Sequence, residues 1–184
     1  SNTLTLTTEN NVTGTDVTAS GNISGVTTLT LSNVGGTATL SGDVDVTTLA
    51  VDNTVANVAF TGNGSTVASS FTPDNDGTFI FGASGGTQTY NGGLNTASVS
   101  GTVTLNGTVA TSNDAVVLGA VTLGSATTID SNATNTTGDI TIGAVTGNNN
   151  NLTLDTTTST GSADHTFTGD INLGSGALDV TGDV

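Results

Sequence analysis

A triplet of Gly, a small or polar residue and a β-branched residue recurs along this chain at intervals of about twenty residues, and that recurrence constrains the fold more than any other feature. It appears at Gly21-Asn22-Ile23, Gly42-Asp43-Val44, Gly101-Thr102-Val103, Gly119-Ala120-Val121, Gly138-Asp139-Ile140, Gly169-Asp170-Ile171 and Gly182-Asp183-Val184. From 21 to 42, from 101 to 119 and from 119 to 138 the spacing stays at about 18–21 residues. The longer interval from 42 to 101 fits about three further coils, with Gly62 and Gly82 or Gly85 as weaker markers. The interval from 138 to 182 fits about two, which leaves Gly169 out of phase.

Between the markers lie short alternating runs such as Leu4-Thr5-Leu6, Thr28-Leu29-Thr30-Leu31, Val103-Thr104-Leu105, Val121-Thr122-Leu123, Ile140-Thr141-Ile142 and Leu152-Thr153-Leu154. Period two sends the aliphatic residues to one face and Thr to the other, the signature of half-buried strands. Each run is too short to stand alone. Stacking coil on coil solves this, because every strand then pairs with its counterparts above and below while the aliphatics form internal ladders. The expectation is an all-β, parallel β-helix (β-solenoid) of about nine coils, about 43 Å long at a spacing of ~4.8 Å per coil. It forms a single domain over 1–184, either a mature subunit or a segment of something longer. The alternative is an antiparallel β-sandwich, which shows similar short strands but usually spreads bulky aromatics between its two sheets.

Here the aromatics are concentrated. Four of the five Phe (60, 71, 79 and 81), the only Tyr (Tyr90) and the only Pro (Pro73) fall between 60 and 90. The repeat weakens from about 60 to 98, which predicts an irregular insertion. Thr78-Phe79-Ile80-Phe81 and Thr87-Gln88-Thr89-Tyr90, separated by Gly82-Ala83-Ser84-Gly85-Gly86, read as a hairpin. Phe71, Phe79, Phe81 and Tyr90 are therefore either a contact patch for a neighbour or ligand, or the filling of a locally wider core.

Charge narrows the functions. There is no Lys or Arg, the acidic residues number 15, and the formal net charge is -15. A chain without basic side chains neutralises no phosphate backbone, so nucleic acid is not expected as a partner, and anionic lipid is disfavoured for the same reason. The longest apolar run, Ala115-Val116-Val117-Leu118, is too short to span a bilayer, so no membrane insertion is expected. Cys is absent, which removes disulfides and thiolate metal sites. With no Lys or Arg the chain offers trypsin-like proteases no cleavage site, in keeping with an extracellular, cell-surface location.

Catalytic patterns are weak. His165 is the only His, with Ser162 and Asp164 nearby, but neighbours on one strand point to opposite faces and no nucleophile-elbow context surrounds them, so a surface or loop role is expected. Asp43 and Asp45 can share a strand face, yet no further acid or cationic clamp accompanies them, which reads as turn and surface carboxylates rather than a hydrolase pair. The chain is not expected to be an enzyme. For metals, Asp74, Asn75 and Asp76 in Pro73-Asp74-Asn75-Asp76-Gly77 offer hard oxygen ligands for calcium as a cofactor, although the remaining ligands of an EF-hand loop are missing and an Asx-rich turn explains the run as well. Added salt or calcium is expected to stabilise the chain by screening its carboxylates. If the markers stack, Asn22, Asp43, Thr102, Ala120, Asp139 and Asp183 form one ladder with its acids diluted by neutral residues. Asn-x-Ser/Thr sequons stand at Asn11, Asn22, Asn63, Asn106, Asn132, Asn135 and Asn151.

The Gly-Asp/Asn-Ile/Val openings, the Thr-alternating strands and the spacing resemble the repeat region of filamentous-haemagglutinin-type exoproteins and autotransporter passengers, across most of the chain except about 60 to 98. The resemblance implies a secreted bacterial surface protein with a parallel β-helix used as a stalk or adhesin, touching neighbouring repeats, other copies of itself, or host or surface glycans and proteins. Two rivals stand beside it. One is a self-assembling filament or surface-layer subunit joined through open edge strands. The other is an ice-binding protein using Thr-x-Thr ladders such as Thr3-Leu4-Thr5 and Thr28-Leu29-Thr30, whose Thr pairs do not clearly recur on one face in consecutive coils.

Overall fold

The computed structural model describes residues 2–8, 11–131, 137–157 and 163–182. Its strands follow one another around eight coils. The first three coils carry β1 (Thr3–Thr7) and β2 (Val17–Ala19), then β3 (Thr28–Ser32), β4 (Val34–Leu40) and β5 (Asp45–Val46), then β6 (Thr48–Val51), β7 (Val55–Phe60) and β8 (Thr66–Val67). The fourth adds β9 (Phe79–Phe81) and β10 (Thr87–Tyr90); the fifth and sixth hold β11 (Leu94–Asn95), β12 (Val103–Thr111), β13 (Val116–Leu118) and β14 (Val121–Asp130). The last two coils comprise β15 (Ile140–Ile142), β16 (Val145–Thr146) and β17 (Leu152–Asp155), then β18 (His165–Phe167), β19 (Ile171–Asn172) and β20 (Leu178–Thr181). No α-helix occurs among the described residues.

Every strand pairing among the described residues is parallel, which answers the choice between solenoid and sandwich. Three columns of strands run along the stack. Face one begins with β1, β3 and β6. It continues through Ser69 and Asp74, whose N–H groups donate to the Thr47 and Val51 carbonyls, and through a bridge from Phe71 to Leu94 into β11, β13, β15 and β18. Face two is β2, β4, β7, β9, the first halves of β12 and β14, then β16 and β19. Face three is β5, β8, β10, the second halves of β12 and β14, then β17 and β20. β12 and β14 pass from face two to face three without breaking, and the register shift between Leu105 and Gly107 marks the corner they turn.

The core is a set of ladders inside this sleeve. On face two, Val17, Ala38, Val58, Phe79, Val103, Val121, Val145 and Ile171 stand one above another. Alternation delivers them inward: β3 buries Leu29 and Leu31, and β4 buries Ala38 and Leu40. Each fully buried Val or Leu contributes about 1.5–3 kcal/mol on leaving water, and stacking repeats that gain at every level.

The register corrects the reading of the Gly triplet. Val103 stacks on Val121 and Val121 on Val145 and Ile171, so Gly169 is in phase; Ile140 belongs to face one, between Val116 and His165. Ile23 and Val44 pair with each other on face three. The triplet marks corners, of which each coil has three, rather than coils. A Cβ on Gly42 would lie 2.4 Å from the Gly21 carbonyl carbon, and one on Gly101 would lie 2.5 Å from that of Gly77, so any corner that brings two backbones this close requires Gly. Asp183 and Val184, the end of the last triplet, lie outside the described residues.

The stretch from 60 to 98 remains inside the stack. β9 pairs with β7 and β12, and β10 pairs with β8 and β12, all parallel, so the expected hairpin does not form. What is irregular is strand length: β8 and β11 have two residues each, and Phe71 holds face one by a single bridge.

Candidate functional surfaces

Phe71, Phe79, Phe81 and Tyr90 are each 0% exposed, so they are no contact patch. They fill the interior of the fourth coil. Phe79 and Phe81 stack with centroids 4.1 Å apart, Phe71 and Tyr90 stack at 5.5 Å, and Phe71 meets Phe79 edge-on at 5.9 Å, geometries that suit the ring quadrupoles. The Tyr90 hydroxyl donates to Gln88 Oε1 at 2.9 Å, and Gln88 Nε2 donates to the Phe60 carbonyl at 2.8 Å. Desolvation of this buried phenol pushes its pKa well above the usual tyrosine value, favouring the neutral form.

The calcium reading of Asp74, Asn75 and Asp76 is corrected by the same alternation that builds the core. Asp74 and Asp76 point outward and are exposed, while Asn75 turns inward and is 0% exposed. Its Nδ2 donates to the Gly77 and Thr78 carbonyls, each at 3.0 Å, pinning the turn from inside. Ligands on opposite sides of the wall cannot converge on one ion, and no group of three His, Cys, Asp or Glu that could hold a metal occurs among the described residues.

His165 does not lie in a loop: it is on β18, 7% exposed, stacked on Ile140 inside face one. Asp164 points outward, and Ser162 lies outside the described residues. Asp43 and Asp45 are engaged with backbone. Asp43 Oδ1 accepts the N–H groups of Asn63 at 2.7 Å and Gly64 at 2.8 Å, and Asp45 Oδ1 accepts that of Thr66 at 3.2 Å.

These bonds belong to a recurring device that no local motif announces. Asn22 Oδ1 accepts from Asp43 N, Asp16 from Thr37 N, Asn57 from Thr78 N, Asp139 from Asp164 N and Asn151 from Ala177 N, at 2.7–3.0 Å. In each case an Asx side chain of one coil caps a backbone N–H of the next, where the corner interrupts the strand ladder. An anionic acceptor on a backbone donor needs no Lys or Arg. Asn22 and Asp43 do stack as expected, but Asp139 stacks directly on Asp164, on another face, without a neutral residue between them. The sequence signal is a set of Asx residues followed by their donors 20–26 positions later, and it becomes readable only with the register known.

Concave features are shallow. One groove of about 330 Å³ lies over 70–72, 92–95 and 114–117, and another of about 380 Å³ over 100–102 and 120–122. The first contains a single carboxylate, Asp114, and the second contains no ionisable side chain, so neither assembles an acid–base pair. Of the sequons, Asn11, Asn22, Asn63 and Asn151 are exposed and Asn106 is half-buried; Asn132 and Asn135 lie outside the described residues. No helix among the described residues is long and apolar enough to cross a membrane. Both ends of the described stack are open: β1 and β2 pair only toward the second coil, and β18, β19 and β20 only toward the seventh. Comparison with protein families, with curated proteins and with solved structures finds no match to this chain.

Proposed function

We propose that this chain is a rod-forming segment of an extracellular surface protein of the filamentous-haemagglutinin or autotransporter type, supplying reach and a polar, adhesive flank. The observation that carries the reading is the parallel stack of eight coils, whose interior is given to packing and in which the Asp16, Asp43, Asp45 and Asp139 carboxylates cap backbone N–H groups of the next coil. The Thr-rich outer rows, together with the absence of Lys and Arg, support an exposed, protease-resistant rod. Electron microscopy of the purified chain tests it. Isolated rods about 34 Å long, from seven steps of ~4.8 Å, support the reading, and compact or irregular particles sink it.

A second reading, a filament joined head to tail, draws on the parallel pairing itself. A parallel stack offers complementary edges at its two ends by construction, since each interior step already makes that pairing. Regular fibres that lengthen with protein concentration and salt favour this reading; rods of constant length favour the first.

A further inference from the structure

The outer surface of face one, over the first three coils, carries a regular grid of hydroxyls. β1, β3 and β6 pair without a register shift, so Thr3, Thr28 and Thr48 form one straight column and Thr5 and Thr30 a second, ending at Ala50. Thr7 and Ser32 begin a third. Columns are about 6.6–6.8 Å apart, two residues of strand, and rows ~4.8 Å apart. The recurrence is hidden in the linear sequence, because Thr3 and Thr28 are further apart along the chain than Thr28 and Thr48.

The hydroxyls of Thr3, Thr5, Thr28, Thr30, Ser32 and Thr48 have no hydrogen-bond partner among the described residues, as is true of other outward strand Thr such as Thr104, Thr128 and Thr141, whereas the buried Thr111 and Thr127 bond to protein; what sets the grid apart is its charge. The first two columns are free of charge in a chain of net charge -15, and none of their Thr has an acid two residues away on its strand; the third column runs out at Asp52, just after β6. The Thr column of face three, Thr87, Thr108, Thr128 and Thr153, lacks this property, because Asp130 and Asp155 stand two residues from its last two members. On face two, Thr122 and Thr146 line a groove rather than a flat surface.

We propose that this grid is a binding face for ice. β-branched side chains are stiff at χ1, so hydroxyls and methyls are held at fixed repeats before any ligand arrives, and little ordering cost remains. Each free hydroxyl can donate and accept, which suits a lattice of water molecules that itself presents both. A charge would hold its own hydration shell and disorder such a layer. The face has no aromatic side chain on which sugar rings could stack, which favours crystalline water over a crystalline polysaccharide.

The test is thermal hysteresis and ice-crystal shaping by the purified chain, with Thr30→Lys placing a long charged side chain in the grid, Thr30→Val removing one hydroxyl while keeping β-branching, and Thr128→Lys as the face-three control. The expected result is hysteresis in the parent and in Thr128→Lys, reduction in Thr30→Val and loss in Thr30→Lys, with unchanged circular dichroism and melting. The proposal is overturned by absence of hysteresis in the parent, by equal loss in Thr128→Lys, by no loss in Thr30→Lys, or by retention on microcrystalline cellulose or chitin without ice activity. None of these outcomes depends on whether the rod is a stalk or a filament.

Discussion

The second and third coils and the fourth solve the same problem in different ways. In the former, stacked positions are 20–21 apart along the chain, the apolar interior is aliphatic apart from Phe60, and corners close with Gly42 against Gly21 and Asp43 capping the coil above. In the fourth, the step from Phe79 to Val103 is longer, and the interior holds Phe71, Phe79, Phe81 and Tyr90. The Asx residue of its turn, Asn75, bonds to carbonyls from inside. A parallel stack therefore fixes the wall spacing but not the perimeter: a longer coil is stable when larger side chains fill it to native packing density.

Truncating the filling breaks this contrast most strongly. Phe81→Ala is expected to cost about 3–5 kcal/mol in urea unfolding, with a cavity too enclosed to collapse, whereas Ile129→Val, trimming one methyl between the stacked Val109 and Leu154, costs about 0.5–1.5 kcal/mol. Similar losses at both sites would mean that the fourth coil relaxes and has no special filling.

Corner capping comes next. Asp43→Ala leaves the Asn63 and Gly64 N–H groups without their acceptor and is expected to cost about 1.5–3 kcal/mol, while Asp43→Asn keeps an acceptor oxygen and costs less. Equal costs in denaturant titrations would show that charge, rather than acceptance, holds the corner.

A third effect is confined to alkaline pH and to the aromatic coil. Tyr90 is held neutral by burial in the folded chain, whereas an unfolded tyrosine ionises near pH 10. The folded pKa is the higher one, so the contribution is intact below about pH 10 and is lost as pH rises toward the folded value, at up to about 1.4 kcal/mol per pH unit. With no Lys, Arg or Cys, Tyr90 is the one side chain that titrates in this window. Tyr90→Phe is expected to flatten the profile, and tyrosinate absorbance in the parent is expected to appear only with unfolding. Absorbance rising in the folded chain at about pH 10 would contradict the burial.

The smallest effect is ionic. Because 15 acidic residues face no basic side chain, sodium and calcium chloride at matched ionic strength are expected to raise the melting temperature equally and modestly. An excess with calcium, removed by Asp74→Asn with Asp76→Asn, would restore the metal reading of that turn in spite of its geometry.

Legibility from the sequence follows the range of the interactions. The alternation in Thr28-Leu29-Thr30-Leu31 is local, so inward Leu and outward Thr can be read directly. The aromatic run reads as a hairpin because Phe79–Phe81 and Thr87–Tyr90 are separated by a Gly-rich turn, and nothing local distinguishes a corner from a reversal. His165 cannot be recognised locally as an interior residue, because its inward position follows from stacking on Ile140 of the preceding coil.

By itself the sequence determined that this chain makes short strands with one apolar side and turns rich in Gly and Asx, and that such strands must stack to be stable. Tertiary structure alone decided which residues stand above which. Coil length varies along the stack, so only pairing between coils sets the register, and the register is what hides the Phe cluster, caps the corners with Asp and Asn, and aligns Thr3, Thr28 and Thr48 into one column.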